Sequence, residues 1–156
     1  MKKTRQPVKV YVDTSVFGGV FDKEFENASV RFFDLVLRGV FSIFISPLVT
    51  EEMVSAPLKV RAFFDSIRPD MTILQYDDHA LDLRAAYIQA GVITDTWDAD
   101  ALHVAMATAG GCAMIVSWNF KHIVSYHRIP LYNRVNVKNG FCEIGIYTPL
   151  EVSTDE

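Results

Sequence analysis

The sequence predicts an α/β fold in which helices cover both faces of a parallel sheet. Short apolar runs of strand length alternate along the chain with segments whose apolar residues recur at helical spacing, and strands separated by helices form parallel sheets. Of the 156 residues, 50% are hydrophobic and 22% are charged, which is enough to enclose one core. No repeat or linker interrupts the chain, so we expect one domain at 1–150 and a short tail at 151–156.

The first two strands and the helix between them are predicted near the start of the chain. Residues 8–12 and 41–45 are short runs rich in β-branched and aromatic residues, which favours strands. Between them, residues 27–29 offer a candidate N-cap, and Gly39 is a candidate C-terminal stop for a helix.

Two helices, a strand and a third helix are predicted next. The Ser-Pro pair at 46–47 is typical of an N-cap followed by the first helical residue. Pro57 is expected to end that helix and begin another, and residues 71–74 are expected to form a strand. Asp77 or Asp78 is a candidate cap for the following helix. The residues expected to share one face of that helix are Leu81, Ala85 and Ile88.

The rest of the chain contains an apolar helix and two predicted strands. The helix begins at Asp100 and is expected to stop at the glycine pair 110–111, because glycine commonly follows the last helical turn. The other predicted segments are strands at 113–116 and 143–147, a short helix at 120–125 and a polar stretch at 133–140.

Charge and composition limit the classes of function. The net charge of -4 and the pI near 5.5 give no general attraction to nucleic acid, so contact with it would need a local basic patch. No apolar run approaches the ~20 residues that span a bilayer, and the basic N-terminus lacks the apolar segment of a secretory signal. We therefore expect a cytoplasmic protein with no membrane contact. Cys112 and Cys142 lack the spacing of a zinc site.

Acidic residues stand where parallel strands are expected to end. Asp13 directly follows the first strand, Glu51 and Glu52 follow the second, and Asp100 begins the apolar helix. Sites in open α/β sheets form outside the carboxyl ends of the strands, so we expect these carboxylates to meet at one edge of the molecule. An isolated Asp in the place of Asp13 also commonly caps a turn.

Only one of the two adjacent glutamates is expected to face this site, because neighbouring helical residues point about 100° apart. We favour Glu52, since Leu48, Val49 and Met53 then define the packed side of the helix. A glutamate in the first turn of a helix also simply complements the helix dipole, which fits the other member of the pair.

Asp100 is a stronger ligand candidate than Asp95 or Asp98, because it lies at the edge of an apolar face where a solubilising charge is poorly explained. His103 lies one helical turn further on and is interpreted as a packed or hydrogen-bonding histidine. Ser117 and Asn119 follow the fourth strand, where Asn119 can offer an oxygen to a hard cation or to a water. Candidate phosphate contacts, each also explained as ordinary surface charge, are Lys121, His122, Arg128 and Arg134.

The chemistry of these side chains predicts a divalent metal site. Carboxylate and amide oxygens without a Cys/His cluster favour Mg²⁺ or Mn²⁺ over Zn²⁺. Clustered carboxylates repel one another unless a cation neutralises them. Such a cation activates water and stabilises charge on a phosphate, so the reaction predicted from the residues is phosphodiester hydrolysis.

Several short motifs stand in a particular order along almost the whole chain. They are residues 10–15 (VYVDTS), the pair Glu51-Glu52, residues 100–107 (DALHVAMA), residues 115–123 (IVSWNFKHI), residues 132–136 (YNRVN), Gly140 and residues 147–151 (YTPLE). In order and spacing they resemble the PIN-domain family, and within it the VapC-like toxins of toxin–antitoxin pairs.

The resemblance implies a three-layer α/β/α fold with a four- or five-stranded parallel sheet, and cleavage of RNA that depends on Mg²⁺ or Mn²⁺. Asp13, Glu52 and Asp100 match the three acidic positions of the family. Asn119 stands where many members have a fourth Asp, and Ser117 matches the hydroxyl residue two positions before it. VapC-like members often form homodimers and are silenced by a small antitoxin, so both partners are implied here.

Other classes of function fit the residues less well. A phosphatase of the haloacid dehalogenase type needs a second acid two residues after Asp13, where Ser15 stands. A dinucleotide-binding loop needs a glycine spacing that Gly18-Gly19 lacks. The remaining alternative is a PIN-like module that binds RNA or a protein without cutting, which Asn119 and the acidic pI favour. The three intact acids favour a metal-dependent endoribonuclease, the toxin of a toxin–antitoxin pair.

Overall fold

The computed structural model describes residues 6–154, which form a five-stranded parallel sheet flanked by helices. The strands are β1 (Val8–Val12), β2 (Phe41–Ile45), β3 (Met71–Ile73), β4 (Met114–Val116) and β5 (Gly145–Tyr147). They pair in the order β3-β2-β1-β4-β5, and each of these pairings is parallel. The predicted α/β/α class and parallel sheet are confirmed, with five strands rather than four.

Helices connect the strands throughout the described part of the chain. They are α1 (Thr14–Gly19), α2 (Glu26–Leu37), α3 (Pro47–Met53), α4 (Leu58–Ile67), α5 (Asp78–Gln89), α6 (Asp98–Ala109), α7 (Ile129–Lys138) and α8 (Pro149–Ser153). Gly39 and Gly91 follow α2 and α5 with φ of 81° and 78°. This left-handed conformation ends helices and favours glycine.

The central position of β1 determines where the functional residues lie. Val10, Tyr11 and Val12 are completely buried, although successive side chains of a strand point to opposite faces, so both faces of the sheet are covered. β1 pairs with β2 on one side and with β4 on the other. The strand order reverses at this point, and a crevice forms there outside the carboxyl ends of the strands. Asp13 lies in that position, and its backbone N–H donates to the carbonyl of Val116 at 3.1 Å.

Two features of the N-terminal half differ from the sequence expectations. α1 begins directly after β1 and was not predicted from the pattern. α2 begins at Glu26 with Phe25 in the N-cap position, so residues 27–29 lie inside the helix instead of capping it. The Ser29 hydroxyl is buried and accepts a hydrogen bond from the indole N–H of Trp118 at 2.9 Å. Ser29 therefore bonds to a residue distant in the sequence and does not cap the helix.

The predicted apolar face of α5 is only partly buried. Leu81 and Ile88 pack against the core, but Ala85 is exposed. The fully buried residues of this helix are Ala80, Leu83 and Tyr87. Tyr87 determines the orientation, because its ring packs edge-on against Tyr132 of α7, with 4.8 Å between the ring centroids. Burial of this large aromatic side chain turns the helix so that the predicted face lies at the border of the core.

The segment after β4 also differs from its prediction. Residues 120–125 form hydrogen-bonded turns and no helix, whereas most of the polar stretch at 133–140 belongs to α7. Two asparagines of α7, Asn133 and Asn136, are buried because they pair with each other and with the backbone directly before β5. Asn136 donates to Asn133 at 3.1 Å, and Asn133 donates to the Ile144 carbonyl and accepts from its N–H at 3.0 and 2.7 Å.

The chain closes with a helix that packs on α2. α8 begins with a capping box, in which Thr148 and Glu151 each accept a hydrogen bond from the backbone of the other. The expected boundary between domain and tail, after residue 150, falls inside this helix, and that division stays a prediction. Within residues 6–154, no helix has the length and apolarity required to cross a membrane.

We expect Asn136→Ala to lower the free energy of unfolding by about 1–3 kcal/mol, because it leaves the buried Tyr87 hydroxyl without its acceptor. Urea denaturation followed by circular dichroism measures this change. Arg134→Ala, at an exposed position on α7, is the control and should cost less than about 0.5 kcal/mol. Equal losses in the two variants would contradict a stabilising role for the buried network.

Candidate metal centre

Asp13 is a buried carboxylate with one oxygen fixed by two serines. Its Oδ2 accepts hydrogen bonds from Ser15 at 2.7 Å and from Ser117 at 2.8 Å. Its Oδ1 lies 3.4 Å from the Nε2 of His103. The serines come from α1 and from the end of β4, so the local turn and the sheet pairing both orient this side chain. One oxygen is thereby anchored while the other points toward neighbouring acidic and imidazole groups.

Glu52 reaches the same place from α3. Its Oε1 accepts from the Thr14 hydroxyl at 2.6 Å and from the His103 ring at 2.8 Å. Glu51, the adjacent residue, is exposed. Burial alone would raise the pKa of Glu52, but the hydrogen bond and positive charge of His103, with the bond from Thr14, lower it below its usual value. Glu52 is therefore held in its charged form.

His103 connects these acids to the core. It is 1% exposed, and its Nδ1 lies 2.8 Å from the Tyr11 hydroxyl, which lies 2.7 Å from the Ser46 hydroxyl. Because a carboxylate only accepts, Nε2 must donate to Glu52. Burial lowers the pKa of His103, but the negative charges of Asp13 and Glu52 outweigh it, so the net shift is upward.

Asp100 lies beside this group and is half-buried at the start of α6. Its Oδ2 is 3.0 Å from the Nδ1 of His122, and the His122 ring stacks on Trp97 with 4.4 Å between centroids. Burial raises the pKa of Asp100, and the charge of Asp13 raises it further. The groups that oppose this rise are His122, His103 and Asn119. Asp95 and Asp98, the other acids near this helix start, are exposed.

Asn119 and Ser117 organise the loop that follows β4. The Asn119 side-chain oxygen accepts from the backbone N–H of His122 at 2.9 Å, and the Asn119 N–H donates to the Ser117 hydroxyl at 2.9 Å. The side-chain oxygen of Asn119 is thus already used within the loop. The amide nitrogen of Asn119 is left to interact with the site. Its hydrogen bonding to Asp100 keeps the pKa of that carboxyl from rising further.

The four basic residues proposed as phosphate contacts lie in different environments. His122 is buried against Asp100, and Arg128 donates to the carbonyls of Val92 and Lys121. Lys121 and Arg134 are exposed. Lys121 directly precedes His122 in the sequence, and His122 contacts Asp100.

The donor set fits a hard divalent cation. One ligand atom each from Asp13, Glu52 and His103 lie within 4.8 Å of one another. Mg²⁺ and Mn²⁺ prefer oxygen ligands, and Asp13 and Glu52 each use one oxygen in the hydrogen bonds described above. His103 fits as a hydrogen-bond donor and not as a ligand, because both of its ring nitrogens have partners. Asp100 lies outside this group but close enough for its charge to act on His103.

Sequence reasoning missed the residues that fix these acids. Thr14 and His122 stand within the quoted motifs, but their bonds to Glu52 and Asp100 were not anticipated. Tyr11 offered the clearest signal, since a tyrosine in the middle of a buried strand requires a partner for its hydroxyl. That partner is the chain of hydrogen bonds through Ser46 and His103.

Comparison with known proteins identifies one family and a set of similar folds. The model of a family described as PIN domain matches residues 9–121. The chain is also similar in fold to several solved structures at low sequence identity. VapBC2 from Rickettsia felis bound to a promoter DNA fragment has 16% identity and a TM-score of 0.60, with 90% of this chain and 98% of that chain covered.

Two further similar structures are those of FitAB and FitAcB. FitAB bound to the IR36 DNA fragment has 15% identity and a TM-score of 0.60, with 94% and 97% of the two chains covered. FitAcB from Neisseria gonorrhoeae has 15% identity and a TM-score of 0.59, with 90% and 97% covered. These likenesses show a shared fold. No curated protein matches the sequence significantly.

We expect the free energy of unfolding in chelator to fall as the pH rises above about 6.5, the ordinary pKa of a histidine, because the pKa of folded His103 is raised above its unfolded value. The folded state then binds more protons than the unfolded state. The stabilisation is complete below the unfolded pKa and is lost as the pH rises through the folded one. Urea titrations at several pH values measure this slope.

The control for this experiment is a histidine outside the cluster. His103→Gln should show a shallower decline with pH than the wild type, whereas His127→Gln, at an exposed position, should keep the wild-type slope. A His103→Gln profile as steep as that of the wild type would show that other groups cause the decline.

Proposed function

The chain belongs to the PIN-domain family, and from this premise we propose that it is a metal-dependent endoribonuclease that hydrolyses RNA phosphodiester bonds. PIN domains are generally nucleases. The observation that supports the proposal most directly is the convergence of Asp13 and Glu52 beside His103, with ligand atoms within 4.8 Å of one another. A purely structural role does not require two carboxylates to be anchored so close together.

In this proposal, Asp13, Glu52 and Asp100 hold Mg²⁺ or Mn²⁺. When bound, a divalent cation supplies Lewis-acid stabilisation of the charge that develops on the scissile phosphate. The chain's own residues orient the acids: Ser15 and Ser117 anchor Asp13. Catalytic geometry depends on such supporting hydrogen bonds, because they fix the direction of the ligand oxygens.

The remaining supports act on the other two acids. Thr14 and His103 anchor Glu52, and His122 orients Asp100. Asn119 fixes the loop that presents Ser117 and His122. We propose that Asn119 also orients a water or a substrate group through its amide, in place of a fourth carboxylate.

We further propose that the protein is the toxin of a toxin–antitoxin pair, acts in the cytoplasm, forms a homodimer and is inhibited by a small antitoxin. Support comes from the fold, which VapBC2 and the FitAB proteins share.

A PIN-like module that binds RNA or protein without cutting is the second candidate. Its support is Asn119, which provides no charge, and the His103 ring, which already neutralises part of the negative charge of Asp13 and Glu52. Calorimetric titration of Mn²⁺ separates the two candidates. The nuclease requires Mn²⁺ binding that disappears in Asp13→Ala, and the binding module predicts none in either protein.

We expect Glu52→Gln to reduce Mn²⁺-dependent RNA cleavage by about 100-fold, because it removes a charge that helps to hold the cation near the scissile phosphate. A fluorogenic single-stranded RNA measures the rate. Glu51→Gln is a matched control one residue away on the same helix, and its exposed side chain should leave the rate within about two-fold. Equal activity of the two variants would overturn the assignment of Glu52.

Induced expression of the wild-type chain is expected to arrest bacterial growth, and Asp13→Asn should abolish the arrest, because the proposed toxicity requires the cation-binding carboxylate. Colony counts after induction measure the effect. Where a small open reading frame lies beside the gene, its co-expression should restore growth. Arrest by Asp13→Asn at equal expression would contradict toxicity through RNA cleavage.

A further inference from the structure

We propose that Tyr11 is a positioning residue of the metal centre: its hydroxyl fixes the His103 ring so that the ring nitrogen Nε2 holds Glu52 in the direction required to bind the cation. The proposal rests on the nuclease function above and adds a buried residue that acts on Glu52 only through His103. Ser46 takes part in the same support, since its hydroxyl bonds to that of Tyr11.

Tyr11 reaches His103 from the middle of the sheet. It lies in the central strand β1 and is completely buried, as is Ser46. The Tyr11 hydroxyl lies 2.8 Å from Nδ1 of His103 and 2.7 Å from the Ser46 hydroxyl. The rings of Tyr11 and His103 meet edge-on, with 5.7 Å between their centroids and 61° between their planes. The contact therefore joins the central strand to α6 away from solvent.

The Tyr11 hydroxyl determines which way the His103 ring faces. A half-turn of an imidazole about its Cβ–Cγ bond exchanges each nitrogen with a carbon, so the turned ring loses its bonds to Tyr11 and to Glu52 together. This argument holds whether Tyr11 donates to Nδ1 or accepts from it, because a phenol does either. Buried polar groups are costly without a partner. Removal of the hydroxyl therefore removes one of the two bonds that favour the observed orientation.

Ser46 indicates that this support is more than an incidental contact. It occupies the N-cap position of α3, where a serine side chain commonly accepts a bond from the first turn of the helix. The Ser46 side chain makes no capping bond, and its hydroxyl bonds to Tyr11. The helix that carries Glu52 thus lacks the usual cap, while the serine that would supply it stabilises the contact between Tyr11 and His103.

Glu52 depends on this support more than Asp13 does. Two serines hold Oδ2 of Asp13. The longer side chain of Glu52 is 35% exposed, and among residues 6–154 its carboxylate accepts from Thr14 and His103 alone, both at Oε1. A turned His103 ring leaves Glu52 with one bond and lets its carboxylate rotate. Metal sites lose affinity by about 10-fold or more when such supporting bonds are removed.

The test compares Tyr11→Phe with the matched control Tyr87→Phe. Each variant removes the hydroxyl of a completely buried tyrosine and keeps its ring, but the Tyr87 hydroxyl bonds to Asn136 of α7. In calorimetric titrations, Tyr11→Phe should bind Mn²⁺ about 10-fold more weakly than the wild type, and Tyr87→Phe within about two-fold of it. A general loss of stability would affect both variants.

A second readout follows the His103 ring in chelator, without metal or RNA. In spectra of the protein labelled with ¹⁵N-histidine, the Nε2 proton of His103 should exchange slowly with water, because the ring is buried and bonded to Glu52. His103→Gln assigns this signal by its absence. Tyr11→Phe should speed the exchange several-fold, whereas Tyr87→Phe should leave it unchanged.

RNA cleavage provides a third readout, because a site that has lost only affinity for its cation recovers by mass action. Raising the Mn²⁺ concentration about 10-fold should therefore restore most of the cleavage rate of Tyr11→Phe. Circular dichroism checks that each variant folds. If Tyr11→Phe does not fold, Ser46→Ala decides by the same measurements and should show smaller losses in the same direction.

Wild-type Mn²⁺ binding in Tyr11→Phe would overturn the proposal, even if the ring proton exchanged faster, because the ring would then not support the ligand. Equal losses in Tyr11→Phe and Tyr87→Phe would overturn it too. A wild type that binds no Mn²⁺ would refute the proposed nuclease and with it the role of Tyr11. Wild-type binding that Tyr11→Phe leaves unchanged would refute the role of Tyr11 alone.

Discussion

The placement of two carboxylates beside each other, one of them buried and the other partly buried, is the constraint on which the rest of the site depends. At an effective dielectric constant of about 20, two unit charges about 4 Å apart repel by about 4 kcal/mol. In the structure His103 reduces this repulsion, because its Nε2 lies 2.8 Å from Glu52 and 3.4 Å from Asp13. The imidazole in turn is held by Tyr11 of the central strand. The acidic edge and the core are thus parts of one hydrogen-bonded structure.

This connection explains why elements from distant parts of the sequence meet at the site. Tyr11 belongs to β1, Ser46 precedes α3 and His103 lies on α6, so one buried chain of bonds joins the sheet to two helices. The serines on Asp13 add α1 and the end of β4. Buried polar groups are costly unless each is satisfied, and satisfying these determines how α3 and α6 approach the sheet.

The sequence was informative wherever structure depends on neighbouring residues, and less so where it depends on distant partners. The bounds of β1 and β2 and the glycine that ends α2 follow from local patterns and agree with the structure. Local patterns could not give the orientation of α5 or the helical state of α7. Both depend on a buried network whose members come from separate segments of the chain. The position of Asp13 followed from a general property of parallel sheets, but the serines and the imidazole that hold it could not be paired without the fold. The roles assigned to Asp13, Glu52 and Asp100 remain proposals.

The bond between Ser117 and Asp13 joins residues 104 positions apart in the chain, and it has a consequence for synthesis. A nascent polypeptide that has not yet exposed β4 has neither the neighbour that pairs with one side of β1 nor the hydroxyl that anchors its terminal carboxylate. Contacts between residues so far apart form late, because the entropy of closing a long loop must be lost first. The complete site is therefore absent until the residues through Ser117 have left the ribosome, so the proposed activity is delayed until most of the chain has been made.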